Sequence, residues 1–485
     1  MALPALGADT DEGALTSGQQ AFGDSLRYDV RATASFSHGD SSPFWLVSNR
    51  WGLASTDNNY GFLEAALFRD SRNIKKEWSY GYGVDVATGY NMQAPFLVQQ
   101  LYADINYWNF RLTVGQKYGH ETFTDQRLSS GDMLFSNNAR PIPEVRISAP
   151  DYINIPGFKG FVGIKGYFSV GAFTDQRWQK SWTDGKRYTD NVLYQSKGGF
   201  LRIGNRDKFP LVAEGGFQMA AQWAGTSYRN GEKTKLPHSF KDFWRTFFCQ
   251  GAGDDGLPGE QSNCNGNIVG EWSAQLAWDT DPWGAKVYYN HYYEDHSMLF
   301  MEYTWHDGLL GFEVRFPKNR FVSKAVYEYL YTKYQAGPVY WDHNDVIDQQ
   351  ISARDSYYNH GIYTGWNNWG FGLGNPLIIS PVFNKDHTLA FKCNRVIAHH
   401  VGLEGQPWQR VGYRALASYT RGWGTYSAPF KNIERNLSLM LEVTYDTPFW
   451  SGFSVTVTGA LDHGGLLGDN TGGMLTLRKT GLFSF

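Results

Sequence analysis

The sequence is low in charge and cysteine and has no long apolar run. Charged residues make up 19% of its 485 residues, against about 25% in soluble domains. The absence of any run of about 18 apolar residues excludes a helical membrane protein. Glycine has no period of three, which excludes collagen. The net charge of −3 gives no basic surplus, so we expect no nucleic-acid partner.

Aromatic residues and glycine are abundant instead. The chain holds 54 Gly and 16% aromatic residues, too many large apolar groups for a disordered chain. Residues 78–90, WSYGYGVDVATGY, alternate between large side chains and small or polar ones. This period of two is typical of a β-strand, whereas a helix would scatter the two classes around its circumference. The pattern predicts an all-β protein.

Segments of this kind recur along the chain, and most run about 9 to 13 residues, the length of a tilted strand that crosses a bilayer. The sequence contains seventeen such segments. Because bacterial outer-membrane barrels have an even number of strands, we expect 16 or 18 strands. The predicted strands are 28–36, 61–69, 78–90, 97–107, 110–118, 160–173, 192–204, 211–223, 271–279, 285–293, 309–316, 321–333, 389–397, 410–419, 437–446, 452–462 and 474–485.

A soluble β-sandwich or propeller would also alternate, but two features favour a transmembrane antiparallel barrel. Tyrosine and tryptophan often stand at segment ends, as in the aromatic girdle of a membrane protein. The opposite face is rich in Gly, Ala and Ser, which suits a crowded lumen. We therefore predict residues 28–485 as an outer-membrane β-barrel with loops at the cell surface, and residues 1–27 as a tail or short periplasmic element.

Both ends of the chain bear on export. Phe483 and Phe485 lie on one face of the last predicted strand, and a terminal aromatic resembles the signal that outer-membrane barrels present to the barrel assembly machinery. The N-terminal residues have no basic region and too short an apolar stretch for a secretory signal. The sequence is therefore interpreted as a mature or trimmed chain.

Three long stretches, 119–159, 224–270 and 334–388, separate predicted strands and are too long for turns. Residues 236–248 have helical spacing and predict a short helix.

Cys249 and Cys264 flank a segment rich in Gly, Asp and Asn, and a disulfide there would stabilise an exposed loop by about 3 kcal/mol. Three unbonded thiols are the alternative. Cys393, on the predicted strand 389–397, is expected to be a buried, inert thiol.

Two stretches carry a resemblance to a known family. SNNARPIPEVRIS (136–148) and YYNHGIYTGWNNWGFGLGNPLIISP (357–381) resemble segments of the outer-membrane capsule-assembly Wzi family. The second, N-H-G-x-Y-x-x-G-W followed by G-x-G-N-P-L, is the more specific. The resemblance implies an 18-stranded barrel whose lumen is blocked by inward loops and a small helical element. It also implies a non-enzymatic, lectin-like protein that binds capsular polysaccharide at the cell surface.

The second stretch also suits sugar binding on its own chemistry. Aromatic rings offer flat apolar faces to pyranose rings, and neighbouring amides and charged groups can satisfy hydroxyls and carboxylates. The alternative, which we favour, is that these residues plug the barrel. The candidate polysaccharide contacts are Tyr357, Tyr358, Asn359, Tyr363, Trp366 and Trp369.

Arg140 is a further candidate, because Pro141 and Pro143 fix an extended backbone that presents it on a stiff support. It would contact an anion or a sugar, or, as we favour, pair with a carboxylate in the lumen.

None of the familiar catalytic or metal-binding motifs occurs in the sequence. No G-x-S-x-G, H-E-x-x-H or C-x-x-C sequence occurs. HYYEDH (291–296) is poor as a metal site because a period of two divides it between two faces, and 253–263 lacks the spacing of a calcium loop. We predict no enzyme activity, cofactor or metal, and expect polysaccharide, outer-membrane lipid and lipopolysaccharide as partners. The alternatives are a porin-like channel with 334–388 as its constriction loop and an outer-membrane enzyme that acts on lipid or glycan.

Overall fold

The computed structural model describes residues 25–71, 77–254, 256–257, 260–261, 264–295, 299, 305–317, 319, 321–335 and 355–484. The helices are α1 (Phe44–Val47), α2 (Gln176–Trp182) and α3 (Phe240–Phe247), with a 3₁₀ turn at Pro381–Phe383. The strands are β1 (Ser25–His38), β2 (Asn59–Arg69), β3 (Trp78–Tyr90), β4 (Phe96–Tyr107), β5 (Phe110–Gln116), β6 (Glu144–Asn154), β7 (Val162–Ala172), β8 (Arg187–Asp190), β9 (Leu193–Ile203), β10 (Leu211–Trp223), β11 (Thr226–Arg229), β12 (Glu232–Lys235), β13 (Asn267–Asp279), β14 (Gly284–Glu294), β15 (Gly308–Arg315), β16 (Lys324–Tyr331), β17 (Asn367–Asn368), β18 (Phe371–Gly372), β19 (Val396–Trp408), β20 (Val411–Gly424), β21 (Pro429–Asp446), β22 (Phe453–Gly464) and β23 (Asn470–Ser484).

Eighteen of these strands form one closed antiparallel sheet. Each wall strand pairs with the next wall strand along the chain, and β1 pairs with both β2 and β23. The first and last strands are in register along their full length, from Ser25 opposite Ser484 to His38 opposite Thr471. Closure leaves no edge strand, which is what a bilayer requires of a β-protein. The predicted barrel and its strand number are confirmed.

The predicted set of strands missed one strand, misplaced another, and set several bounds four to eight residues short, most of all at the start of β21. β6 lies inside the stretch 119–159, for which no strand is predicted. Pro150 and Asp151 interrupt its alternation, and its pairing with β7 shifts register between Ala149 and Ile153. The segment predicted at 389–397 is mostly irregular, and the strand there is β19, which starts at Val396. The predicted helix within 236–248 is present as α3.

Large side chains and small or polar ones lie on opposite faces of the strands, as the alternation in the sequence predicts. On β3, Trp78 and Tyr80 point outward and are 72% and 58% exposed, whereas Gly83 and Asp85 are buried toward the lumen. The outward side chains of a transmembrane barrel face lipid. Among the described residues no helix is long and apolar enough to cross a membrane.

Glycines of the wall make room for aromatic rings on the neighbouring strand. In several register pairs an aromatic ring lies over the glycine directly opposite, and a Cβ atom added to that glycine would collide with the ring. Such pairing fills the space that glycine leaves in a strand. It explains why the chain is rich in both residue types. Examples are Gly83 with Tyr102, Gly216 with Phe200, and Gly311 with Tyr288.

The two ends of the barrel differ. At one end, called here the short-turn end, strands are joined by connections as brief as residues 108–109 and 409–410, and β1 begins and β23 ends there. The opposite, long-loop end carries the much longer connections that follow β1, β5, β10 and β16. β1 starts at Ser25, three residues inside the predicted tail. The rest of that tail and the terminal Phe485 lie outside the described residues.

Candidate functional site

A first plug segment, residues 117–143, runs from the long-loop end down the lumen. Near the short-turn end it makes three ion pairs with the wall. They are Glu121 with Lys165 at 2.6 Å, Asp125 with Lys324 at 2.6 Å, and Arg127 with Glu404 at 3.2 Å. Attraction between opposite charges at these distances is strong where water is partly excluded. The first plug segment therefore closes the short-turn mouth of the barrel.

Two buried wall carboxylates hold the middle of this segment. Glu328 accepts hydrogen bonds from the backbone N–H of Ser130 at 2.7 Å and from the Tyr288 hydroxyl at 2.6 Å. Glu271 accepts the backbone N–H of Leu134 at 3.1 Å. A buried polar group that loses its hydrogen-bond partner is costly, so each of these contacts favours the observed position of the segment. These carboxylates fix the first plug segment at mid-lumen.

A second plug segment, residues 355–395, fills the long-loop half of the lumen. The Tyr357 hydroxyl donates to Asp307 at 2.8 Å, and the backbone N–H of Tyr358 donates to Glu294 at 2.5 Å. Both tyrosine side chains are fully buried. Burial raises the pKa of each hydroxyl well above its usual value, so both stay protonated donors.

Three other predicted contacts also lie inside this packing. Asn359 exchanges two hydrogen bonds of 2.9 Å with the backbone of Phe391. The Trp366 indole N–H donates to the carbonyl of Leu134 at 2.8 Å, which joins the two plug segments. Trp366 and Tyr363 are buried and Asn359 is half-buried. In this arrangement the tyrosines and Trp366 pack the plug and expose no surface to a polymer.

Arg140 is buried without the expected carboxylate partner. Its Nε donates to Oε1 of Gln99 at 2.6 Å, and its guanidinium carbon lies 4.7 Å from the centre of the Trp369 ring. Among the described residues Arg140 forms no ion pair of 4 Å or less, and Asp175 acts on it only as a more distant charge. The direct pairing with a lumen carboxylate that we favoured is therefore not observed. The proline-stiffened backbone directs the side chain at the wall and at Trp369 instead. Burial lowers the pKa of Arg140 to about 10.

Trp369 stands at the tip of a two-residue hairpin between β17 and β18. Trp369 and Gly370 both have positive φ, 54° and 79°. A turn with positive φ at both central residues matches the twist of a hairpin, but a bulky residue rarely adopts it. The Trp369 backbone N–H is held by Asp175 at 2.9 Å. The strained position presents a half-buried indole at the long-loop end.

Trp369 begins a row of rings that leads to the surface. Trp178 and Trp182, one helical turn apart on α2, stack with ring centres 5.3 Å apart. Trp178 lies 6.4 Å from Trp369, and Trp182 lies 4.5 Å from His387. Trp182 is half-buried and His387 is exposed. We call Trp178, Trp182, Trp369 and His387 the tryptophan row.

A small basic sheet adjoins the row. It consists of β8, β11 and β12, and Tyr188 and Tyr228 stack on it with ring centres 4.4 Å apart. Lys180 of α2 lies 5.5 Å from the Tyr188 ring. Together α2 and the connections through β8 and β11–β12 (residues 176–190 and 226–235) hold seven Lys or Arg and three Asp or Glu. This surface is positive although the whole chain is negative. We call it the basic sheet.

Cys249 and Cys264 do not lie in an exposed loop as expected. Both are buried against Met219, Ile268 and Tyr293, side chains on the outward face of the wall. The two sulfur atoms lie 2.6 Å apart. The proposed disulfide remains a prediction, but both cysteines lie against the outside of the barrel.

Cys393 lies in the second plug segment and not on a strand. It is buried, as expected, and burial raises the pKa of its thiol to about 11.

Among the described residues no group of three or more His, Cys, Asp or Glu side chains could hold a metal ion. His291 and Glu294 point to opposite sides of the wall, as the period of two predicts: Glu294 binds the second plug segment and His291 faces outward.

Sequence reasoning missed most of the tryptophan row and the basic sheet. α2 and β8 lie between two predicted strands, where no element was expected. β11 and β12 lie in the long stretch 224–270, for which only a short helix was predicted. The spacing of Trp178 and Trp182, four residues apart, was the available signal for a short helix with one aromatic face.

Comparison with known proteins places the fold. Wzi of Escherichia coli, described as an outer-membrane protein involved in group 1 capsule assembly and a carbohydrate-binding β-barrel, is similar at 12% identity and a TM-score of 0.54, over 94% of this chain and 84% of that one. OccK5 (OpdH) of Pseudomonas aeruginosa matches at 7% identity and a TM-score of 0.49, over 95% and 98%. No curated protein matches the sequence.

The sequence profile of the family described as capsule assembly protein Wzi matches residues 19–464. A match of that length, together with a closed 18-stranded barrel, identifies the protein as an outer-membrane barrel, whose long-loop end then faces the cell exterior and whose short-turn end faces the periplasm. The chain belongs to the capsule assembly protein Wzi family.

Proposed function

We propose that the protein binds capsular or surface polysaccharide along the tryptophan row and holds it at the cell surface without chemical change. The observation that carries the proposal is a row of aromatic rings, two of them half-buried, at the end of a barrel that faces the exterior. Ring faces of this kind match the apolar faces of pyranose sugars. A repeating polymer can make many weak contacts, which together hold it firmly.

Rigid support favours this site over a mobile loop. Trp369 is fixed by its hairpin, and Trp178 and Trp182 by α2, whose first turn is tied to Trp369 through Asp175. Burial raises the pKa of Asp175, and hydrogen bonds from Gln179 and from the Trp369 backbone partly offset this. A preorganised surface loses little entropy when it binds a ligand. The predicted contacts Arg140, Tyr357, Tyr358, Asn359, Tyr363 and Trp366 would then act by supporting Trp369 and its hairpin from below.

The charge of the basic sheet favours an acidic polymer. Lys180, Lys233 and Arg229 are exposed around the stacked tyrosine pair. Carboxylates of uronic sugars would pair with such cations, and arginine can bind them through two hydrogen bonds. A polymer that follows the tryptophan row would cross this surface.

A channel function has less support, because both plug segments are bound to the wall by buried polar contacts through the depth of the lumen. An enzyme function has no supporting arrangement of nucleophile, acid and base in the described part of the site. Insertion by the barrel assembly machinery remains our expectation from the aromatic residues of the last strand.

Binding is tested with protein in lipid nanodiscs and polysaccharide released from the surface of cells that carry the gene. Trp369→Ala and Trp182→Ala should each reduce co-sedimentation several-fold. Trp450→Ala is the matched control, because this indole is exposed at the opposite, short-turn end. Equal binding by all three variants and the parent protein would remove the tryptophan row from the site.

Charge preference is tested separately with alginate as an acidic polymer and dextran as a neutral one. The double variant Lys180→Gln, Lys233→Gln should lose alginate binding, whereas Lys431→Gln, exposed on β21, should not. Added salt should weaken alginate binding in the parent protein because it screens exposed charges. Equal binding of alginate and dextran would contradict the preference for an acidic polymer. It would not contradict binding along the tryptophan row.

A further inference from the structure

Helix α3 lies outside the barrel, against the face that the wall turns toward lipid. Phe243 and Phe247 pack on Phe168, an outward residue of β7, at ring-centre distances of 6.4 and 5.6 Å. Phe243 also contacts Trp223 of β10 at 5.7 Å. The helix therefore covers the outer surface of the wall instead of joining the plug.

Lys197 shows that this docking is specific. It occupies an outward position of β9, directly opposite Phe168 in the sheet. A lysine that faces lipid is unfavourable in a barrel wall. Here its ammonium group donates to the backbone carbonyl of Phe247 and lies 3.6 Å from the centre of that ring. The carbonyl is at the C-terminal end of α3, where the helix dipole favours a cation. The end of the helix therefore supplies a partner for a charged side chain of the wall, and that side chain in turn stabilises the end of the helix.

The helix ends beside the apolar band of the membrane. Phe168 and Lys197 each stand six residues from the short-turn ends of their strands, at Val162 and Ile203. With a rise of about 3.3 Å per residue and a tilt of about 40°, that is about 15 Å along the barrel axis, within an apolar band about 25 Å tall. Exposed Phe158 and Phe161 mark the periplasmic girdle just below Val162.

The side of α3 that turns away from the wall is aromatic. Phe240, Trp244 and Phe248 are 76%, 42% and 61% exposed, and their spacing of four residues places them on one face. Neighbouring rings are 6.0 and 5.9 Å apart. A capping box of Ser239 and Asp242 defines the start of the helix. We call Phe240, Trp244 and Phe248 the aromatic face of α3.

We propose that this aromatic face inserts among the acyl chains of outer-leaflet lipid, so that α3 is an interfacial anchor built onto the outside of the barrel. The face is continuous with the lipid-facing wall below it, and it supplies the outer aromatic girdle where β7, β9 and β10 are covered by the helix. Lys241, exposed beside Phe240, can reach lipid headgroups while the rings stay in the apolar layer. This inference is independent of polysaccharide binding.

The test is the accessibility of a nitroxide label to oxygen, which concentrates in lipid, and to a water-soluble nickel complex. The full-length protein is placed in palmitoyl-oleoyl phosphatidylcholine nanodiscs as the variant Trp244→Cys. Leu276→Cys, outward on β13, is the lipid control, and Lys233→Cys on β12 is the water control. The native cysteines are buried, and labelling of the parent protein measures their background.

The oxygen-to-nickel ratio at position 244 should match that at 276 and exceed that at 233 several-fold. Phe248→Cys examines the same face if a label at 244 disturbs the helix. A ratio like that at 233 would show the face in water and overturn the proposal. Low accessibility to both reagents would also overturn it, because it would mean that protein and not lipid covers the face.

Discussion

The Tyr357 hydroxyl donates a hydrogen bond of 2.8 Å to Asp307, and this contact joins the second plug segment to the wall at the start of β15. Burial raises the pKa of Asp307 to about 6, although hydrogen bonds from Tyr357 and from the backbone of Gln335 oppose the rise. The unfolded chain would ionise this group near its usual value, about 4.

Stability should therefore fall as pH rises through this interval. Between about pH 4 and 6 the folded state binds more protons than the unfolded state, so the free energy of unfolding decreases by up to about 3 kcal/mol from this group. Thermal unfolding of the detergent-solubilised protein across this range measures the change. Asp307→Asn should flatten the dependence in this window. A variant whose slope equals that of the parent protein would show that another group is responsible.

The two plug segments predict a closed lumen. In planar bilayers the parent protein should show almost no ion conductance, because residues 121–128 close the periplasmic mouth through ion pairs. Replacing residues 121–128 by a short Gly-Ser linker should increase conductance. A comparable shortening of the connection 465–469 between β22 and β23, which makes no ion pair with the wall at the periplasmic mouth, should not. Steady porin-like currents from the parent protein would contradict the plug as described.

The pairing of wall glycines with aromatic rings predicts how much stability the barrel loses when such a glycine gains one methyl group. Gly216→Ala should destabilise the barrel by about 1 to 3 kcal/mol, because the new Cβ would overlap the Phe200 ring. Gly199→Ala is the control one strand away, since no atom lies within 4 Å of a Cβ there. Heat-modified mobility of folded barrels on gels, at graded temperatures, gives the order of stability. Equal loss in both variants would contradict the steric explanation.

The disulfide between Cys249 and Cys264 is checked by intact mass after alkylation without and with reductant. We expect Cys393 alone to be available in the denatured, unreduced protein, and all three cysteines after reduction. The bond would close a loop of 15 positions and stabilise it by about 3 kcal/mol in the chain-entropy account. Three alkylated cysteines without reductant would show that the pair is unbonded.

The family resemblance carried by residues 357–381 indicated where the second plug segment lies in the chain. It did not indicate what each residue of that segment does. Tyr357, Tyr358 and Trp366 have the composition of a sugar site, and the same residue types pack well in a wet lumen. Only the positions of Asp307, Glu294 and Leu134, distant in sequence, decide that these side chains point inward. Trp369 differs because the hairpin turn of β17 and β18 holds its ring at the long-loop end.

The sequence by itself determined the barrel, its aromatic exterior and its small-residue lumen, because a period of two assigns each side chain of a strand to one face. Family membership follows from the linear order of motifs alone. The tertiary structure decided everything that depends on contacts between distant segments: the path of 117–143 to the periplasmic mouth, the meeting of α2 with Trp369, and the position of α3 on the outer wall. Those contacts join irregular segments across the barrel, and no local periodicity encodes them.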